Sequence, residues 1–225
     1  MAIDHDEGLR QRRLVFWHEI KSPVATLKTL LDVLADGSAG ELPESARDLV
    51  DRARRQAGRV NEMIAAAHDL ERLQGGRLAF SDSRIDLREA LAVALKSIES
   101  AAAAKKVTFA LQDGEAMPTR ADPAQVARCL EALARSALEC AHRESSVNAQ
   151  ASQIDGGILV VLRVEALSSK DVLEDALGPT CPLGLRGGNG IGLHEAQLFI
   201  EAMGGRVRVS VEAERATLEV WLPAR

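Results

Sequence analysis

Two stretches of the chain carry side chains able to do chemistry together. Near the N-terminus the sequence reads His18-Glu19-Ile20-Lys21-Ser22-Pro23, and far downstream Gly188-Asn189-Gly190-Ile191-Gly192-Leu193. An exposed imidazole with one free lone pair is a nucleophile toward phosphorus. An adjacent carboxylate can hold its other nitrogen protonated and aim the ring. His18 and Glu19 supply those two groups, and Ser22, four residues on, shares the helical face of His18. Pro23 removes a backbone donor and loosens the turn beside the histidine. The downstream glycines open a helical pattern, where backbone N–H groups and the helix dipole favour a phosphate chain.

Both stretches need scaffolds. Leu14, Trp17, Val24, Leu27, Leu31 and Leu34 recur at three- and four-residue steps, which predicts one helix over residues 8–35 after a short tail, 1–7. Asp36-Gly37-Ser38-Ala39-Gly40 breaks it, with glycine available for a left-handed cap. A second helix is expected from about Pro43 to Leu73, with a seam of Leu49, Ala53, Gln56, Val60, Met63, Ala67 and Leu70. The short turn makes an antiparallel hairpin, residues 8–73. One hairpin cannot bury both seams, so a second copy is expected to complete a four-helix bundle as a homodimer.

Gln74-Gly75-Gly76-Arg77 reads as a linker, and residues 78–225 change to an α+β pattern. A strand is expected at Leu78–Phe80, a helix from near Asp86, and a strand at Val107–Leu111. Asp122-Pro123 starts another helix, with proline at its first position. Ile158–Leu167 is a β run, followed by a loop of about 20 residues. A helix from Gly192 to Met203, ending at Gly204-Gly205, and strands at Arg206–Val211 and Ala216–Leu222 complete the chain.

Composition narrows the function classes. The 225 residues are 46% hydrophobic and 27% charged, with a net charge of −5. No basic field invites nucleic acid, and no apolar run reaches the roughly 18 residues that a membrane helix needs. The N-terminus does not read as a signal peptide, so the expected compartment is the cytoplasm. Cys129, Cys140 and Cys181 form no C-x-x-C pair and read as small core hydrophobes; the histidines show no metal-ligand spacing.

The hexapeptide at His18 resembles the phospho-acceptor box of bacterial sensor histidine kinases. The segment from Gly188 through the helix to Gly204-Gly205 is similar to the last glycine box of their ATP-binding domain, and the resemblance covers about residues 8–223. It implies an α+β chain: a dimeric acceptor hairpin followed by the α/β sandwich of histidine kinases and related ATPases. It implies His18 as acceptor, Glu19 as general base in a kinase, and Ser22 where family phosphatases orient a water. Gly188, Gly190, Gly192 and Leu193 would line the nucleotide phosphates if a nucleotide binds. Without the membrane and sensor segments usual in that family, the chain is expected either to lack them or to be a fragment.

The resemblance fails where the nucleotide should be held. Laid out from Asp122, the family's magnesium-ligating asparagine becomes Ser136 and its lysine becomes Glu139. A glutamate there repels polyphosphate. Ala166 stands in place of the aspartate that accepts the adenine amino group, and the glycines of that box are missing. Glu165 replaces the aspartate only by a one-residue slip, which turns it to the other face of the sheet. No cofactor is therefore expected. The leading reading is a phosphorelay protein in which His18 exchanges a phosphoryl group with response-regulator receiver domains. Arg12, Arg13 and Lys21 would meet the receiver's acidic pocket. The alternatives are an autophosphorylating kinase using ATP and magnesium, and a scaffold without catalysis.

Overall fold

The computed structural model describes residues 2–165 and 192–224. The chain divides into two compact units, Met1–Leu78 and Ala79–Arg225.

The first unit is a pair of long helices. α1 spans Ala2–Ala35 and takes in most of the expected tail, and α2 spans Glu44–Gln74. Gly37, in the left-handed region at φ 81°, turns the chain between them. Ion pairs Arg13–Glu71 (2.8 Å) and Arg54–Asp32 (3.9 Å) join opposite ends of the two sequences, so the helices run antiparallel. The seam read on α2 is not the buried one. Ala57 and Ile64, each one position beyond a seam residue, are buried in the hairpin, whereas Leu49, Ala53, Gln56, Val60 and Met63 stay exposed, as do Phe16, Leu27 and Leu30 on α1.

The second unit is a helix-covered sheet. Its elements are β1 (Ser83–Asp86), α3 (Leu87–Ser97), α4 (Glu99–Lys105), β2 (Thr108–Leu111), β3 (Pro118–Ala121), α5 (Pro123–Cys140), β4 (Ser146–Ile154), β5 (Gly157–Val164), α6 (Leu193–Ala202), β6 (Arg206–Glu212) and β7 (Arg215–Pro223). The five-stranded sheet has order β2-β4-β5-β7-β6, with β2 parallel to β4 and the other pairs antiparallel. Along β7, Ala216, Leu218, Val220 and Leu222 are buried while the alternate residues are half-exposed, so one face carries the core. Leu91, Leu130, Leu133, Phe199 and Ile200 fill it from the helices. Each fully buried side chain of this size contributes about 1.5–3 kcal/mol.

The first strand lies later than expected. Residues 78–80 carry no strand; β1 begins at Ser83 because its partner β3 meets Ser83–Asp86 (Ser83 opposite Ala121, Asp86 opposite Pro118). Gly205 follows α6 where β7 crosses closely: a Cβ there would lie 2.4 Å from the Trp221 carbonyl oxygen. Among the described residues, no helix is long and apolar enough to cross a membrane.

Two aspartates fix this unit's helices. Asp86 caps α3, accepting from the N–H groups of Arg88 and Glu89, and also from Met117. Asp122 caps α5 through Ala124 and Gln125, and its second oxygen accepts from Ser81 N–H at 2.9 Å. Burial pushes both carboxyls up. The hydrogen bonds outweigh it and hold both below the ordinary carboxylate value. Their contribution is therefore complete above the ordinary range, near pH 4, and is lost as pH falls through the lower folded values. Thermal melting of this unit should be flat between about pH 7 and 5 and drop below about pH 4. In Asp122→Asn the drop should be smaller, and Asp122→Ala should cost about 1 kcal/mol at neutral pH. An identical acid profile in Asp122→Asn would remove Asp122 from this role.

Candidate functional site

The acceptor face is built on α1. His18, Glu19, Lys21, Ser22 and Pro23 are all exposed. The helix continues through Pro23, whose ring nitrogen cannot donate to the carbonyl of Glu19, four residues earlier. The Glu19 carbonyl thus lacks its helical donor immediately after His18. Ser22 lies one turn from His18 on the same face, and its carbonyl accepts from Thr26 Oγ1 at 3.1 Å. Thr29 Oγ1 donates likewise to the Ala25 carbonyl at 3.1 Å. These two hydroxyls are turned onto the helix's own backbone.

The expected contact between His18 and Glu19 is not formed: no hydrogen bond joins the imidazole to that carboxylate among the described residues. Consecutive residues on a helix project about 100° apart, so their side chains diverge. Of the flanking cations, Arg13 is the one engaged, through Nε to Glu71 Oε1. Its partner Glu71 comes from the far end of α2 and was not singled out in the sequence, where it reads as one more charge on a charged helix.

The second candidate site divides between described and undescribed residues. Gly188 and Gly190 lie outside the described residues, as do Ala166, Cys181 and the expected loop. Gly192 is the N-cap of α6; its N–H donates to Glu195 Oε2 at 2.9 Å. Leu193, the first residue of α6, is buried. Ser136 sits on α5 at 2% exposure, in a stretch from Ala132 to Leu138 where only Arg135 is not buried. Arg135 itself is held by Glu131, at 3.0 Å from Nε and 2.7 Å from Nη2.

Glu165 takes the outer face. Its Oε1 accepts from Asn148 Nδ2 at 2.9 Å, and its Oε2 lies 3.5 Å from Arg215. The buried residues Val160, Leu162 and Val164 alternate with it and point to the helices, so Glu165 cannot turn toward α5 without a register slip. Beside Glu139 the structure supplies a cation unnoticed in the sequence. Lys105 Nζ donates to the Leu138 and Glu139 carbonyls at 2.8 and 2.9 Å, closing the C-terminal end of α5. Burial lowers its pKa, against the opposing pull of Cys140 and Glu139. Cys129 and Cys140 are buried thiols, and burial raises the Cys129 thiol to about 12, an inert core group. Among the described residues no cluster of ligating side chains could hold a metal ion.

Residues 17–76 match the family model of the His Kinase A (phospho-acceptor) domain. Full-length ShkA, solved in complex with AMPPNP, shares the fold with a TM-score of 0.72 at 19% identity, over 95% of this chain and 45% of ShkA. The Acinetobacter baumannii histidine kinase AdeS matches with a TM-score of 0.62 at 16% identity, over 92% of this chain and 98% of AdeS. The catalytic domain of the histidine kinase ThkA matches 65% of this chain with a TM-score of 0.54 at 15% identity, over 96% of that domain. No curated protein matches the chain in sequence. The chain spans less than half the length of ShkA, and at these identities the likeness is one of fold.

Proposed function

With a His Kinase A phospho-acceptor segment joined to the fold of a histidine kinase catalytic domain, which together support the sensor histidine kinase family, we propose that this chain is a phosphorelay protein. His18 takes a phosphoryl group from the phospho-aspartate of a response-regulator receiver domain and passes it to another. A lone pair of the imidazole attacks phosphorus. The N–P bond forms as the aspartyl O–P bond breaks, and the aspartate leaves as its carboxylate. The second transfer is the reverse with a new carboxylate. The exposed apolar strips of the hairpin support a homodimer, and the buried thiols Cys129 and Cys140, outside any disulfide, suit a reducing cytoplasm.

The observation that carries the reading is the contrast between the two candidate sites. The acceptor face keeps an open histidine on a proline-relaxed helix. The nucleotide face does not fit magnesium and ATP: Ser136 is buried where a ligating oxygen must be reachable, and Glu139 brings negative charge to the polyphosphate side. Losing the charged acceptor for adenine, Ala166 in this sequence, costs about 1.5–3 kcal/mol more.

Calorimetric titration with a non-hydrolysable ATP analogue and magnesium tests this. No binding is expected at ligand up to about 1 mM, which is weaker than roughly −4 kcal/mol. A micromolar dissociation constant would overturn the reading and make the chain an autophosphorylating kinase.

A further inference from the structure

Four buried polar atoms in the hairpin have no hydrogen-bond partner among the described residues: Arg59 Nε and Asn61 Oδ1 within α2, and two of opposite kind on different helices, the indole donor Trp17 Nε1 and the carboxylate acceptor Glu71 Oε2. Their placement brings them toward each other. Arg13 faces Glu71, and Trp17 lies one turn beyond Arg13 on the same face of α1. Helical side chains lean toward their own N-terminus, so Trp17 leans back toward the level of Arg13. Because α2 runs the other way, Glu71 leans toward the level of Trp17. The carboxylate already spends Oε1 on Arg13 Nε at 2.8 Å and is only 14% exposed, whereas Arg13 is 51% exposed. Its free oxygen is thus the buried end of the pair. Leaving such a donor and acceptor both unmet is costly; no direct hydrogen bond joins them, and one bridging water satisfies both.

We propose that Glu71 is a positioning residue for His18: it grips Arg13 and Trp17 together and so fixes the rotation of α1 at the residue immediately before the acceptor. The need for such a grip comes from the sequence. Pro23 removes the donor for the Glu19 carbonyl, and the helix is least constrained by its own hydrogen bonds just after His18. A lock on the preceding turn keeps the imidazole directed outward. Besides Arg13, the other charged or titratable groups within a turn of Trp17 and Glu71 are His18, Glu19 and Lys21 on α1 and His68, Asp69 and Arg72 on α2. His68 Nδ1 lies 3.9 Å from Asp69 Oδ1. The role in transfer rests on the phosphorelay reading; the lock itself does not.

The test uses the full chain. Trp17 and Trp221 are the only tryptophans, so the protein shows two indole N–H resonances, assigned with Trp221→Phe. In Glu71→Leu the Trp17 signal should move upfield and exchange faster with water. Glu71→Gln, which keeps an acceptor oxygen, should retain the protected signal. Phosphoryl transfer to His18 from a phosphorylated receiver domain should slow about tenfold at saturating donor in Glu71→Leu, with the half-saturating concentration unchanged. Glu71→Gln should restore it, and Trp17→Phe combined with Glu71→Leu should be no slower than either alone. A Trp17 resonance indifferent to Glu71→Leu overturns the lock. A changed resonance with unaltered transfer overturns the positioning role. A wild-type chain that takes no phosphate at His18 overturns the phosphorelay reading instead, while the resonance still decides the lock.

Discussion

His18→Gln should abolish phosphoryl uptake: incubated with a phosphorylated receiver domain, the variant is expected to stay unlabelled while the wild-type chain acquires an acid-labile phosphohistidine. The effect is all-or-none because no other group on this face can do the chemistry. Glu19 diverges from His18 on the helix, and a neutral serine hydroxyl such as Ser22 is a weak nucleophile without a base beside it. Glutamine keeps a polar side chain on an exposed helix position, so melting should change by less than about 0.5 kcal/mol. Labelled His18→Gln would move the acceptor elsewhere. A variant that loses labelling but keeps its cellular role would favour the scaffold alternative over group transfer.

The second large effect concerns assembly. Leu30 is 58% exposed and Leu49 is 63% exposed, with Phe16, Leu27, Val60 and Met63 also open. Side chains of this kind on two neighbouring helices form a continuous apolar strip that a single hairpin leaves in water. In a symmetric dimer every such residue counts twice. Leu30→Glu with Val60→Glu therefore removes four apolar side chains from the interface and adds four charges. At about 1.5 kcal/mol for each lost side chain alone, association should weaken by about 6 kcal/mol, on the order of 10⁴-fold. Sedimentation should show a wild-type dimer and a double variant that is monomeric at micromolar concentration. A wild-type chain that already sediments as a monomer would contradict the bundle. Because His18 lies on a different side of α1 from Phe16, Leu27 and Leu30, loss of the dimer need not remove the acceptor. Transfer by the monomeric variant would then separate assembly from chemistry.

Much of this protein was legible in its residues because the signals are local. The step of three and four in Trp17, Val24, Leu31 and Leu34 set α1. Asp86 and Asp122-Pro123 marked two helix starts, where a short carboxylate meets free N–H groups within three residues. The alternation in β6 and β7 showed strands with one wet face. The candidate acceptor face was readable for the same reason, since His18, Ser22 and Pro23 stand within two turns of one helix. The tertiary structure decided whatever depends on a distant partner. β4, Ser-Val-Asn-Ala-Gln-Ala-Ser-Gln-Ile, carries too few large apolar residues to stand out, and it is a strand because β2 and β5 pair with it on both sides. β1 begins where β3 meets it, not where the apolar residues begin. The open strip of Leu30, Leu49 and Met63, the grip of Glu71 on Arg13, the cap of Lys105 on α5 and the outward turn of Glu165 all join residues far apart in sequence. Periodicity specifies which face of an element is apolar. Only packing specifies which part of that face is covered, and by what, because burial and hydrogen bonding are properties of the assembled neighbours rather than of the segment alone.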